Sequence, residues 1–295
     1  MIKQEENLTE IFVSDVLISD FEEVYKQLNT IIPAENLHII PGCKDIWVRD
    51  FMPINLYDDG DRLLTYRYEP DYLRENATEY INFHTEQKAV LFDMGIRKQE
   101  TFDTDLVLDG GNIVECDGVV ILTDKIYREN PKYNRQQVRD ELKRIFKEEV
   151  KIIPWVSIDD DVFGHSDGFL TYLGIIDGKK TILFETSDFS IPPIQNAQRD
   201  VLKSLEAKGY KIRELQLKSG NRFDWCYINM LHYKNKLLVP QVDGITESNQ
   251  IALDTISNIC GDDREVIGIK IPQRILKMGG ALHCMTWNSD RAYLI

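Results

Sequence analysis

The sequence predicts an α/β fold built as a ring of five ββαβ modules. Polar residues suited to chemistry recur at nearly even intervals. Asp50, Asp109, Asp167, Asn229 and Cys284 are separated by 59, 58, 62 and 55 residues. Five modules averaging about 58 residues would fill the chain almost without remainder. Turn signals between short apolar runs mark hairpins, and helical patterns lie between those hairpins. Strand–helix alternation alone would also fit a doubly wound sheet, so the repeated hairpin decides for a ring. A repeat array that offers one polar residue per module to a shared centre can build an active site from the whole chain.

The elements follow in order. Asp20-Phe21-Glu22-Glu23 reads as a capped helix start, with Phe21, Val24, Tyr25 and Leu28 at helical spacing. Runs 54–57 and 63–66 flank Asp58-Asp59-Gly60, and segment 71–82 carries a weaker helical pattern. Runs 112–116 and 119–122 flank Asp117-Gly118, a strong two-residue turn signal. Segment 136–149 places Val138, Leu142, Ile145 and Phe146 on one helical face. Run 170–173 pairs with 181–184 across Asp177-Gly178-Lys179. Ile194, Ala197, Val201 and Leu205 line a helix stopped by Gly209. Run 226–233 pairs with 236–239 across Lys234-Asn235, and 248–259 is a second weaker helical pattern.

Composition bounds the function. Lys plus Arg of 35 against Asp plus Glu of 49 gives a net charge of −14, the wrong sign for neutralising nucleic-acid phosphates. An acidic surface keeps a protein soluble and also concentrates cationic ligands. Residues 1–20 hold five acidic groups and no apolar run long enough for a signal peptide, and no stretch would span a membrane. Cys43, Cys116, Cys226, Cys260 and Cys284 form no CxxC and no disulfide framework. Free thiols fit a reducing compartment, so the expected location is the cytoplasm. No linker divides the chain, and residues 1–295 are expected to form a single domain.

Four motifs stand in order: Trp47-Val48-Arg49-Asp50, Asp109-Gly110-Gly111-Asn112, His165-Ser166-Asp167-Gly168 and Gly279-Gly280-Ala281-Leu282-His283-Cys284. In this order and spacing the chain resembles agmatine deiminases and bacterial peptidylarginine deiminases, members of the guanidino-group-modifying superfamily. The resemblance covers residues 47 to 287. It implies a five-bladed α/β propeller, the pentein fold, with a cysteine nucleophile and no cofactor. The implied reaction hydrolyses a guanidinium to a ureido group plus ammonia, favouring agmatine and yielding N-carbamoylputrescine. Free arginine or peptidyl-arginine, amidino transfer to an amine, and guanidinium binding without turnover are the alternatives. A homo-oligomer stays open.

The resemblance assigns the roles. Asp50 and Asp167 would clamp opposite edges of the planar guanidinium, which matches carboxylates bidentately. Cys284 would attack its central carbon, whereas the other four cysteines read as buried structural thiols. His165 would move protons, oriented by Asp109 as a buried carboxylate orients the base of other triads. His165 and Asp167 would share a side of an extended segment, and His283, adjacent to Cys284 in a strand, would face away from it. A metal held by His165, Asp167 and Asp109 is the rival reading, and a single imidazole without a cysteine cluster argues against zinc. Asn229 would hydrogen-bond substrate or the loop bearing Cys284. Trp47 would stack on the guanidinium or pack in the core, and Arg49 would order a loop through a salt bridge. Two departures from the agmatine branch stand out. Asp109 occupies a position where many agmatine deiminases have Glu, and Phe51-Met52-Pro53 replaces the usual Gly-Pro after the first motif.

Overall fold

The structure, a computed structural model, describes residues 1–57, 62–74, 76–155, 163–185, 192–217 and 222–293. Strands β1 (Glu10–Ser14) and β2 (Leu37–Ile40) run parallel, joined through helices Asp15–Asp20 and Glu22–Ile31. Strands β3 (Ile54–Asn55) and β4 (Leu63–Arg67) form an antiparallel pair. Helices Asp71–Arg74, Ala77–Phe83 and Gln87–Asp93 then lead to β5 (Thr101–Val107), parallel to β4. The pattern repeats with β6 (Val114–Glu115), β7 (Val119–Thr123), helix Arg135–Phe146 and β8 (Glu149–Ile153). It repeats again with β9 (Leu170–Ile176), β10 (Lys179–Glu185), helix Pro192–Glu206 and β11 (Lys211–Leu215). A fourth copy is β12 (Leu231–Tyr233), β13 (Lys236–Val242), helix Thr246–Cys260 and β14 (Glu265–Ile271). The last strand, β15 (Trp287–Ser289), returns antiparallel to β1. Both ends of the chain therefore share one sheet, ordered β15-β1-β2, and the described residues form five three-stranded sheets. Each sheet is an antiparallel pair followed, across a helix, by a parallel strand, which is the ββαβ unit read from the sequence.

Local chemistry explains these units. Asp117 and Gly118 both take positive φ, 52° and 104°, as a tight hairpin turn requires. Asp177 and Gly178 do the same, so that turn needs two residues and Lys179 joins β10. Asn134 and Gln137 cap helix Arg135–Phe146 reciprocally, each side-chain oxygen accepting from the other's backbone N–H at 2.9 Å. This helix buries Val138, Leu142, Ile145 and Phe146, and it ends at left-handed Lys147, leaving Glu149 to open β8.

Three segments differ from expectation. Asp20 ends a short helix that Ser14 caps, and helix Glu22–Ile31 starts behind Phe21 without a side-chain cap. The 71–82 pattern splits, because Asn76 caps a new helix by accepting from the N–H groups of Thr78 and Glu79. Residues 226–230 are not strand: Asp224–Tyr227 is a 3₁₀ turn, and β12 holds only Leu231–Tyr233. These residues are buried, and burial alone does not distinguish a strand from a short helical turn. The Asp58-Asp59-Gly60 turn and the side chain of Ile194 lie outside the described residues.

A tight turn precedes each hairpin's first strand and also β15. These are Val48–Phe51 before β3, Gly110–Asn112 before β6, Ser166–Gly168 before β9, 226–230 before β12 and 282–285 before β15. Hydrogen bonds link the five turns in a cycle. Gly111 N donates to Asp50 Oδ1 at 2.9 Å, and Ser166 N to Asn112 Oδ1 at 3.2 Å. Asn229 Nδ2 donates to the Asp167 carbonyl at 3.4 Å, and Cys284 N to Asn229 Oδ1 at 3.2 Å. Arg49 N donates to the Cys284 carbonyl at 3.1 Å, which closes the cycle. Asn112 Oδ1 also accepts from Thr123 N at 2.9 Å, so Asn112→Ala would strand two backbone N–H groups. Each stranded, buried donor costs about 1–3 kcal/mol, and urea unfolding should show a loss of about 2–6 kcal/mol. A loss below about 1 kcal/mol would mean that the turns are held by other forces.

Candidate active site

The five turns aim their side chains at one centre. Asp50, Asp109, Asp167, Asn229 and Cys284 are all buried there. Gly111 marks the meeting point: a Cβ placed on it would lie 2.8 Å from Asp50 Oδ1, 2.9 Å from His165 Nδ1 and 3.1 Å from Asp167 Oδ2. Only hydrogen fits at that position, so the backbone forms one wall of the site. Cys284 Sγ lies 3.5 Å from Asp167 Oδ2 and accepts from Asn229 Nδ2 at 3.1 Å. Tyr66, on β4, donates to the carbonyls of Asp50 and Met52 at 2.7 Å and steadies the first turn. The rings of Phe163 and Tyr72 meet edge to face beside His165, at 6.4 and 6.3 Å from its ring.

Charge in this centre is finely divided. His165 Nε2 is 3.1 Å from Asp109 Oδ2, and Nδ1 is 3.6 Å from Asp50 Oδ1. Burial opposes charge on the imidazole, but Asp50 and Asp109 outweigh it and raise the His165 pKa to about 9. Burial raises Asp50 to about 6, with Asp109 and Asp167 adding to the push and His165 opposing it. Asp109 behaves oppositely. Burial disfavours its charge, yet the Lys125 ammonium and His165 hold its carboxyl well below the usual range. Burial, then Asp167 and Asp50, push the Cys284 thiol well above its ordinary pKa. The free site therefore holds a protonated imidazole on the side of Asp50 and Asp109 and a protonated thiol on the side of Asp167.

The structure brings together Cys284, His165, Asp109, Asp50, Asp167 and Asn229. Asn229 holds the Cys284 loop at three points: its Nδ2 on the thiol, its Oδ1 under Cys284 N, and its carbonyl accepting from His283 N at 3.2 Å. Trp47 is half-buried, packed on the apolar core, and its ring covers Gly280, where a Cβ would sit 2.3 Å from it. Arg49 pairs with Glu5 at 2.6 Å and donates to Asn288 Oδ1 at 2.8 Å. Two local premises fail. His165 stands at the N-terminal edge of a 3₁₀ turn and Asp167 lies within it, instead of both sitting in an extended run, and the turn curls both side chains toward Gly111. Residues 282–285 are likewise a turn, so strand alternation does not apply to His283. Its two ring nitrogens face Asp167 Oδ2 at 2.7 Å and Glu5 Oε1 at 3.0 Å.

Lys125, Glu129 and Glu5 were not foreseen. Lys125 is fully buried, hydrogen-bonded to Asp109 and Glu129, and 3.3 Å from Asp71. In sequence, Lys125 and Glu129 form an i, i+4 pair that looks like an ordinary surface pair. A buried run, 119–123, leading straight into Lys125 was the available signal. Lys125→Met would leave Asp109 and Glu129 buried without their cation, at a cost of about 3–5 kcal/mol. Asp109 has a depressed pKa in the folded protein, so its stabilisation exists above the unfolded value and fades in acid. Without Lys125 that benefit is gone, and the deficit against wild type in urea unfolding should shrink as pH falls below about 4. A deficit that grew in acid would contradict this assignment.

Comparison with known proteins places this geometry. The family model for Porphyromonas-type peptidyl-arginine deiminase matches residues 2–289. The agmatine deiminase of Medicago truncatula is 24% identical over 230 residues, covering 65% of this chain and 59% of that protein. The structure of C. jejuni agmatine deiminase superposes with a TM-score of 0.70 at 19% identity, covering 97% of this chain and 94% of that one. DDAH from Pseudomonas aeruginosa superposes at 0.56 with 13% identity, covering 95% and 99%. At these identities the two structural likenesses are likenesses of fold. The match to the family model spans nearly the whole chain, and the chain belongs to the Porphyromonas-type peptidyl-arginine deiminase family.

Proposed function

We propose that this protein hydrolyses a guanidinium group to a ureido group and ammonia, with agmatine as the favoured substrate. The carrying observation is the convergence of Asp50, Asp167 and His165 on one point at Gly111, with Cys284 Sγ against Asp167. Two carboxylates and a thiol around one narrow space suit a flat cation attacked at its centre. Relatives named as agmatine deiminases support the substrate, and so does the charge of −14, which favours a dication. In this reading the five sheets are the blades of one closed five-bladed α/β propeller, and residues 1–295 act as a single domain.

The chemistry follows from the geometry. Asp50 and Asp167 hold the guanidinium, and its positive charge offsets theirs. The thiol then loses its proton to solvent, where released ammonia later takes up its equivalent, and the thiolate attacks the central carbon to give a neutral tetrahedral adduct. Protonated His165 gives its proton to one nitrogen, the C–N bond breaks, and ammonia leaves behind a thiouronium cation. Neutral His165 next takes a proton from water as the oxygen adds to the same carbon. Collapse expels the sulfur, which takes up the adduct's hydroxyl proton as the ureido carbonyl forms, so the thiol is restored and His165 is already back in its protonated form. Asp109 keeps the imidazole oriented throughout, as Lys125 keeps Asp109 ionised.

The test incubates the protein with agmatine, with arginine and with an arginine-containing peptide, and assays ammonia and ureido product. Agmatine should be turned over best, and Cys284→Ser should lower turnover by at least about a thousandfold. Asp50→Asn and Asp167→Asn should raise KM as well as lower kcat, because each removes a charged contact present before and during reaction. Selective turnover of the peptide would move the substrate to the peptidyl branch, which Asp109 resembles. Absence of ammonia from all three, or near wild-type turnover by Cys284→Ser, would overturn the proposal.

A further inference from the structure

Glu5, Arg49 and His283 form an ionic group outside the reaction steps, half-buried at Glu5 and Arg49 and buried at His283. The N-terminal segment crosses the molecule near the central turns. Lys3 N donates to the Asn55 carbonyl at 2.9 Å, Ile2 bridges to Leu56, and Leu8 is buried. Between them the 3₁₀ turn Glu5–Asn7 directs the Glu5 carboxylate inward. Glu5 Oε1 meets His283 Nε2 at 3.0 Å and an Arg49 nitrogen at 2.6 Å. On its other edge, His283 Nδ1 meets Asp167 Oδ2 at 2.7 Å, the oxygen that lies 3.5 Å from Cys284 Sγ. An imidazole flanked by a carboxylate on each nitrogen donates from both only as the imidazolium. A cavity of about 70 Å³ lies alongside, lined in part by Glu5, Arg49, Asp167, His232 and His283.

We infer that Glu5 is a positioning residue for the substrate clamp, holding His283 as a doubly donating imidazolium that fixes the Asp167 carboxylate. The inference rests on the reading of Asp167 as a clamp for a guanidinium. The groups facing His283 are Glu5 from the N-terminal turn, Asp167 from the turn before β9, Arg49 from the first turn and His232 from β12. Burial and Arg49 disfavour its charge, but Glu5 and Asp167 prevail and raise its pKa. His232 is driven the other way, to about 4, chiefly by burial, and stays neutral. Without Glu5, Arg49 would face His283 with no anion between them, and the imidazolium would give up its proton. A neutral ring donates one hydrogen bond at most and brings no opposite charge to Asp167, so the carboxylate is held less firmly than by the imidazolium.

Glu5→Gln, which keeps the shape and removes the charge, separates these states. Ring ¹⁵N signals of His283 report its protonation without any substrate. Wild type should show both ring nitrogens protonated at about pH 7.5, and the variant should show a neutral ring there, because its folded-state pKa falls toward the ordinary His value. KM for the guanidine should rise about tenfold while kcat changes less than about threefold, the split expected for lost binding in ground and transition states alike. A neutral His283 in wild type would overturn the inference, whether or not the variant folds. So would an imidazolium that persists in Glu5→Gln, or an unchanged KM once the ring is neutral. If no guanidine is turned over but the wild-type and variant signals appear as described, the reaction assignment fails while the Glu5–His283 coupling stands.

Discussion

Five hydrogen bonds between neighbouring turns decide where everything else in this protein lies. Each turn stands just ahead of a strand, and each bond ties one unit to the next: Gly111 to Asp50, Ser166 to Asn112, Asn229 to Asp167, Cys284 to Asn229, and Arg49 to Cys284. Individually such bonds contribute about 1 kcal/mol, but a buried donor left without its acceptor costs more, so the cycle resists loss of any member. The even spacing of Asp50, Asp109, Asp167, Asn229 and Cys284 is a consequence. Each residue occupies the corresponding turn of its unit. β15, seated on β1, brings the final turn back to the first.

The same crowding sets the electrostatics. Three carboxylates, Asp50, Asp109 and Asp167, meet in a space from which water is largely excluded. Two buried cations restrain them from the sides: Lys125 holds Asp109, and protonated His283 holds Asp167. Asp50 is left with His165 and one backbone N–H, which is why its carboxyl is pushed up while that of Asp109 is pulled down. A centre arranged this way is short of positive charge near the thiol until a cation enters. Substrate charge and nucleophile charge are thereby coupled, because low-dielectric surroundings strengthen every interaction between them.

Much of this was legible in the chain. The module spacing and the Asp117-Gly118 and Asp177-Gly178 turns announced the ββαβ units, and the motifs around Asp50, Asp109, His165 and Cys284 announced the residues that converge. What failed were inferences that assumed local regularity. His283 was placed by strand alternation, whereas its segment is a turn. Residues 226–230 were read as part of the hairpin strand that runs to Tyr233, whereas that strand begins only at Leu231. Lys125 and Glu5 were passed over for a different reason. A lysine on a short helix and a glutamate near the N-terminus look solvated in sequence. Their burial depends on partners such as Asp109 and His283, which only the tertiary fold supplies. Long-range ion pairs carry no periodic signature.

The proposed reaction turns on the activation of the suppressed Cys284 thiol by a bound cation. It is tested most directly by the rate of Cys284 modification with two reagents of matched intrinsic reactivity, a neutral haloacetamide and a positively charged haloacetamidine. Burial and the neighbouring carboxylates hold the free thiol protonated at neutral pH. The neutral reagent should therefore react slowly at about pH 7 and speed up only in strong alkali, since the raised thiol pKa keeps the thiolate scarce below it. The cationic reagent, seated between Asp50 and Asp167, should label Cys284 at least about a hundredfold faster at the same pH, as a shift of two pKa units would produce. Equal corrected rates for the two reagents would show that the thiol is not activated by a bound cation and would contradict the account.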